Sequence, residues 1–209
     1  MLIRTPRSTP RAKPDRVVYD RTAAYAILDE ALVCHVGIVV DGMPIVMPTT
    51  HWRMKDRLYF HGGQASRLAK VMASGAPLSV TVTLVDGVVL ARSAVRHSMN
   101  YRSVILFGAA REVSDQQVKA DAFVALIEKL VPGRAAHVRP TTAKELAATK
   151  LLEFEIGEGS VKARSGPPAE LERDLSWPVW AGVAPVVTRR GIPEPDTHWV
   201  AGTIAGKPE

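Results

Sequence analysis

Between Leu32 and His61 short β-type runs alternate with turn signals, and no other stretch limits the fold as much. Leu32 to Val40 reads as a strand, Asp41-Gly42 is a hairpin signal, and Ile45 to Met54 runs back. Lys55-Asp56 turns the chain again, and Arg57 to His61 gives a third strand. Strands joined by two-residue turns can pair only as neighbours in an antiparallel meander.

The rest of the chain adds helices between further strands. Thr22 to Ala31 predicts a helix capped by Asp20, with Ala24, Ile27, Leu28 and Ala31 on one apolar face. Gly62-Gly63 ends the meander, and Ser66 to Ala73 is a short helix with Ser66 as N-cap and Gly75 past its end. Leu78 to Leu84 and Val88 to Ala91 are β-rich on either side of Asp86-Gly87, and Tyr101 to Val113 is another strand. Ser114 and Gln117 have capping-box spacing before a helix with Val118, Ala122, Phe123, Leu126, Ile127 and Leu130 on one face, ended by Pro132-Gly133. Thr142 and Glu145 repeat that spacing before a short helix, and Leu151 to Ile156 is the last regular strand. About six strands with inserted helices predict a mainly β chain, a small closed or split antiparallel barrel. No G-x-G-x-x-G loop follows a strand and no P-loop is present, which excludes the common βαβ nucleotide folds.

Composition narrows the function classes. The single cysteine, Cys34, excludes an intramolecular disulfide and Cys-rich zinc sites. No H-x-x-x-H or H-E-x-x-H spacing joins His35, His51, His61 and His97, so no metal site is expected, and no G-x-S-x-G elbow supports a hydrolase of that class. The net charge of +6 is spread along the chain without an aromatic ladder, so an anionic small ligand is expected rather than nucleic acid. No apolar run reaches the roughly 20 residues that span a bilayer. Met1 to Asp15 is basic and proline-dotted and lacks the apolar segment of a secretory signal. We therefore expect a cytoplasmic protein without a membrane partner, with a flexible basic arm at residues 1–18, a barrel domain at 19–165 and an extension at 166–209. The extension is rich in Pro, Gly and Trp, and Trp177, Trp180 and Trp199 suggest that parts of it pack on the barrel or on a partner subunit.

Four constellations could carry chemistry. Pro48, Thr49, Thr50 and His51 offer hydroxyls and an imidazole at a strand edge, or are simply β-formers in a half-buried strand. Phe60-His61-Gly62 leads through glycines into the helix start at Ser66, Arg67 and Lys70, where a hydroxyl and two cations suit a phosphate; the plainer reading is a capped surface helix. Arg96 to Ser103 crowds Ser98, Asn100, Tyr101 and Arg102 ahead of a core strand, either as a site or as an exposed turn. Lys162 and Arg164 put two cations on an extended segment, which is either a solvated edge or part of an anion site.

Together these blocks resemble the pyridoxamine 5′-phosphate oxidase-related superfamily, and within it the nitroimidazole-resistance-like flavin-binding branch. The resemblance spans about Tyr19 to Pro185. It rests on Phe60-His61-Gly62, His97 to Val104, Pro132-Gly133-Arg134, Arg139-Pro140-Thr141, Lys162 to Gly166 and Trp180 to Val183, in that order and spacing. It implies a six-stranded antiparallel FMN-binding split barrel, homodimeric, with FMN at the subunit seam. It also implies that Pro48 to His51, Phe60 and His61 line the isoalloxazine and ribityl chain, and that Ser66, Arg67 and Lys70 hold the phosphate. Asn100, Tyr101 and Arg102 approach from the neighbouring strand region, and Trp177 or Trp180 covers the flavin. The Arg-Leu-x-Pro-Pro-like C-terminal segment of true pyridoxamine-phosphate oxidases is missing, which argues against vitamin B6 phosphate as substrate. The expected activity is an FMN-dependent oxidoreductase with NAD(P)H or a deazaflavin as donor and a small organic acceptor such as a nitro compound. His61 or His97 is the candidate proton donor. A non-catalytic flavin carrier or sensor, or a haem-binding split barrel with an axial histidine, is the alternative.

Overall fold

The structure is a computed structural model in which residues 1–198 are described; Trp199 lies outside them. In chain order the elements are β1 (Val17–Val18), α1 (Arg21–Glu30), β2 (Val33–Val40), β3 (Met43–Thr50), β4 (Trp52–Met54), β5 (Arg57–Gly63) and α2 (Arg67–Ala73). They continue with β6 (Pro77–Leu90), β7 (Ser98–Val113), α3 (Gln116–Leu130), α4 (Ala143–Ala148), β8 (Thr149–Glu155), β9 (Glu158–Arg164) and β10 (Gly182–Pro185). The mainly β class is as expected, with ten strands among the described residues rather than about six. The strands pair in the order β3-β2-β6-β7-β8-β5-β4, with β1 on β9, β9 also on β7, and β10 on β6.

The chain divides into two compact units, each assembled from separated segments. The first holds Met1–Ala31, Thr81–Leu106 and Gly157–Arg189; the second holds Leu32–Val80, Phe107–Ile156 and the described residues from Arg190 on.

The second unit contains the meander. At its first turn Asp41 and Gly42 both take positive φ, 51° and 77°, the two-residue turn that matches strand twist. β2 pairs with β3 from Val33↔Thr50 to Val40↔Met43. The expected single strand Ile45 to Met54 is broken at His51, which is fully buried, and its carbonyl accepts from Lys129 Nζ of α3 at 2.9 Å. β4 then pairs with β5, and β5 with β8. Trp52, Tyr59, Ala122, Leu126 and Leu151 form the cluster that seats α3 on these strands. α3 is capped by Asp115, whose side chain accepts from Val118 N–H, one residue later than the expected Ser114; the carboxylate is the stronger acceptor at a helix start. The Thr142–Glu145 capping box forms as expected. Lys119 of α3 is buried and donates to the carbonyls of Leu146 and Thr149, which ties the end of α4 to the start of β8.

In the first unit Asp20 caps α1 by accepting from Ala23 N–H, as expected. Two other expectations are corrected there. The two β-rich runs on either side of Asp86-Gly87 form one strand: both residues lie inside β6, and Gly87 pairs with Pro185 of β10. A Cβ at Gly87 would stand 2.8 Å from Val183 Cγ1 and 3.2 Å from Ala184 O, so the glycine admits the neighbouring strand rather than reversing the chain. The N-terminal arm is packed rather than mobile. Leu2 is buried, Ile3 N–H donates to Gly157 O at 2.9 Å, and the Arg7 guanidinium holds the Glu158 carboxyl down to about 2. β1 pairs with β9 through Val17↔Lys162 and Val18↔Val161. An apolar residue at position 2 and a strand pair are enough to seat a segment whose overall composition looks like a tail. Of the C-terminal extension, β10 joins the β6 edge.

Candidate functional site

β5 runs into Gly62-Gly63 and the chain then enters α2, which folds back over the strand. A Cβ at Gly62 would lie 3.0 Å from Ala69 Cβ and 3.4 Å from Ser66, so the missing side chain sets how closely α2 approaches β5. Ser66 Oγ accepts from Ala69 N–H at 3.3 Å and caps the helix. Leu68, Ala69 and Met72 are buried beneath it, which turns Arg67 and Lys70 outward, both exposed. Neither cation has a side-chain partner among the described residues.

Under this turn lies a cavity of about 160 Å³. Pro48 and Thr49 of β3, Phe60 and His61 of β5, and Ser66 line it, five residues expected from the sequence. Met47, Met72 and Leu152 line it too, and sequence reasoning missed them because a lone apolar residue in a strand or helix reads as core. Its walls therefore combine thioether and aromatic surface with two hydroxyls and one imidazole. Thr50 is half-buried, and His51 is turned into the core against Lys129, so neither lines the cavity.

His61 is held by rings. Its centroid lies 5.9 Å from Trp52 and 5.9 Å from Phe123, the latter edge-on at 73°. Burial pushes its pKa below the ordinary 6.5, so the imidazole is neutral at pH 7. Trp52 was visible next to His51, and Phe123 on the apolar face of its helix, but their meeting at His61 depends on the β4–β5 pairing.

The remaining expected site residues belong to the first unit, where several polar groups are already engaged. Arg102 donates to both carboxylate oxygens of Glu30, one at 2.9 Å, and to Asp86 at 2.7 and 3.0 Å; it lowers the pKa of both acids. Asn100 accepts from Arg164 and donates to Gly166 O at 3.2 Å, while Arg164 also donates to Pro167 O at 2.8 Å. Lys162 Nζ donates to Ala12 O at 3.3 Å. Ser98 and Tyr101 are half-buried, and Trp177 and Trp180 are exposed. His97 is exposed at the end of the single helical turn 94–96, with Nδ1 3.2 Å from both Ser93 O and Ala94 O. Among the described residues no group of three or more His, Cys, Asp or Glu side chains could hold a metal ion, and no helix is long and apolar enough to cross a membrane.

Residues 20–163 match the sequence profile of the family described as pyridoxamine 5′-phosphate oxidase. Among solved structures, the flavocytochrome Anf3 from Azotobacter vinelandii is 39% identical, with 95% of this chain and 92% of that one covered and a TM-score of 0.89. The FAD and haem binding protein from Mycobacterium smegmatis is 37% identical, with 90% and 92% covered and a TM-score of 0.87. A candidate 5-nitroimidazole antibiotic resistance protein from Bacteroides thetaiotaomicron is 21% identical over 69% of this chain and 86% of that one, TM-score 0.58, and shares the fold. The comparison with curated proteins finds no match.

Proposed function

The chain belongs to the pyridoxamine 5′-phosphate oxidase family, and from that membership we propose that it is a redox protein binding both a flavin and a haem. One observation carries this reading: the relatives 39% and 37% identical, each covered over nine-tenths of its length, are a flavocytochrome and an FAD and haem binding protein. The family profile stops at residues 20 and 163, yet these two likenesses take in 95% and 90% of the chain. By the same comparison the flavin is proposed as FAD, in place of the FMN expected from the sequence.

The second unit fits a flavin. Phe60, Met47 and Met72 give an apolar wall, Thr49 and Ser66 give hydroxyls, and Arg67 and Lys70 stand outside the cavity with free charge for the phosphates. Flavin and haem, when bound, supply hydride acceptance and single-electron transfer respectively. The chain's own residues bind and orient them. The neutral His61 imidazole, fixed between Trp52 and Phe123, can accept or hold a proton at the cavity wall. A reduced nicotinamide or deazaflavin is the proposed electron donor, and a small organic molecule the acceptor.

A cavity of about 160 Å³ encloses only part of a flavin, since sites for ligands of that size run to roughly 300–1,000 Å³. The missing walls are proposed to come from a second copy of the chain. In support, the outward face of the β2–β3 ribbon is mostly apolar: Val33, Val39 and Val46 are 47%, 60% and 66% exposed, with Pro44 and Pro48 beside them and His35 and Thr50 as its polar members. Pro48 belongs both to this face and to the cavity.

The phosphate assignment is tested by Arg67→Ala combined with Lys70→Ala. Charge-assisted hydrogen bonds contribute about 1.5–3 kcal/mol each, so flavin affinity is expected to fall at least about tenfold while haem uptake is kept. Fluorescence titration with FAD reads the change, and an unaltered dissociation constant would show that the phosphates sit elsewhere.

A further inference from the structure

We infer that His97 is the axial ligand of the haem, presenting Nε2 to the iron. The assignment rests on the haem reading above and adds the residue that makes the bond. A metal-binding imidazole needs one bare nitrogen, and the tautomer is set by what the other nitrogen touches. His97 Nδ1 lies 3.2 Å from Ser93 O and 3.2 Å from Ala94 O, and both are acceptors. These contacts place the proton of the neutral ring on Nδ1, which leaves the Nε2 lone pair for a metal. The helical turn 94–96 supplies both carbonyls, and Ser93 O also receives Arg96 N–H at 3.0 Å, which fixes the turn that holds the ring. The ring is exposed, so Nε2 can be approached from outside the unit.

The surroundings fit a porphyrin. Val95 is 86% exposed and Met99 53% exposed, an apolar pair two residues to either side of His97. Met99 and Tyr101 alternate onto the same face of β7, opposite the buried Asn100. Arg96, next to His97, has no side-chain partner among the described residues and suits a carboxylate such as a haem propionate. His61 is exposed too, but its ring lies against Trp52 and Phe123, and it makes no side-chain hydrogen bond among the described residues that would set its tautomer.

The test uses the full chain, reconstituted with FAD and titrated with haemin. His97→Ala is expected to weaken haemin binding at least about tenfold and to move the Soret band, with the flavin band retained. His97→Gly is expected to regain the parent spectrum when free imidazole is added, and His137→Ala, at an exposed position outside both proposed sites, to keep it throughout. A second readout needs no variant: bound haemin should shield His97 from diethyl pyrocarbonate, read by peptide mass. A His97→Ala protein with the parent's Soret band and affinity, or His97 modified equally with and without haemin, overturns the assignment and leaves the haem reading standing. A parent chain that takes up no haemin overturns both.

Discussion

Trp52→Ala is expected to destabilise the fold by about 3–5 kcal/mol, enough to unfold a large share of the molecules at growth temperature. Trp52 has no exposed surface and stacks on Tyr59 at a centroid distance of 6.1 Å, with Phe123 at 6.3 Å. It joins β4, β5 and α3, so truncation leaves a cavity among three elements. Its indole N–H is buried without a hydrogen-bond partner, so the ring's contribution is packing alone. Trp52→Phe, which keeps most of the packing and removes the orphan donor, is expected to cost less than half as much. Urea unfolding of the two variants reads the difference; equal losses would mean that the N–H is satisfied and matters. Because Trp52 also flanks His61, the alanine variant should loosen the cavity wall even where it folds.

Val46→Glu is expected to convert a dimer into monomers while leaving the single chain folded. Val46 faces outward, opposite Gly37 in the β2–β3 pairing, in the middle of the apolar face. An exposed site in the separate chain tolerates a carboxylate within about 0.5 kcal/mol. Buried between two copies, an unpaired carboxylate costs several kcal/mol. A penalty of about 2.7 kcal/mol would already weaken association about 100-fold. Light scattering on a sizing column gives the mass, and far-UV circular dichroism checks the fold. Flavin affinity should fall with the dimer, since the cavity would lose the walls assigned to the second copy. A Val46→Glu chain that stays dimeric, or a parent chain that is monomeric, removes the β2–β3 face as the interface.

How legible the fold was depends on where each residue's partners lie. The β2–β3 turn was readable because Asp41-Gly42 carries its own conformational reason. At Asp86-Gly87 the same dipeptide separates two β-rich runs in sequence yet lies inside one strand, because the glycine there answers to Val183 and Ala184 nearly a hundred residues later. The packed N-terminus was hidden for the same reason: Ile3 and Arg7 find Gly157 and Glu158 only once β9 exists. In the cavity, Pro48, Thr49, Phe60, His61 and Ser66 were readable because polar residues and glycines stood out against β-type runs. The engagement of Arg102 by Glu30 and Asp86 was not, since those acids lie 72 and 16 residues away in sequence. His97 was visible as a candidate. The pair of carbonyls that fixes its tautomer required the turn at 94–96 to be folded.

One chain is proposed to hold two redox groups of different kinds, and the visible absorption spectrum of the folded protein reads this most directly. After incubation with FAD, FMN and haemin and removal of the excess, a flavin band and a Soret band are expected together, near one of each per chain. Heat-released flavin should be FAD by mass. A folded protein that leaves the column colourless, or one carrying flavin with no Soret band at any haemin concentration, would contradict it.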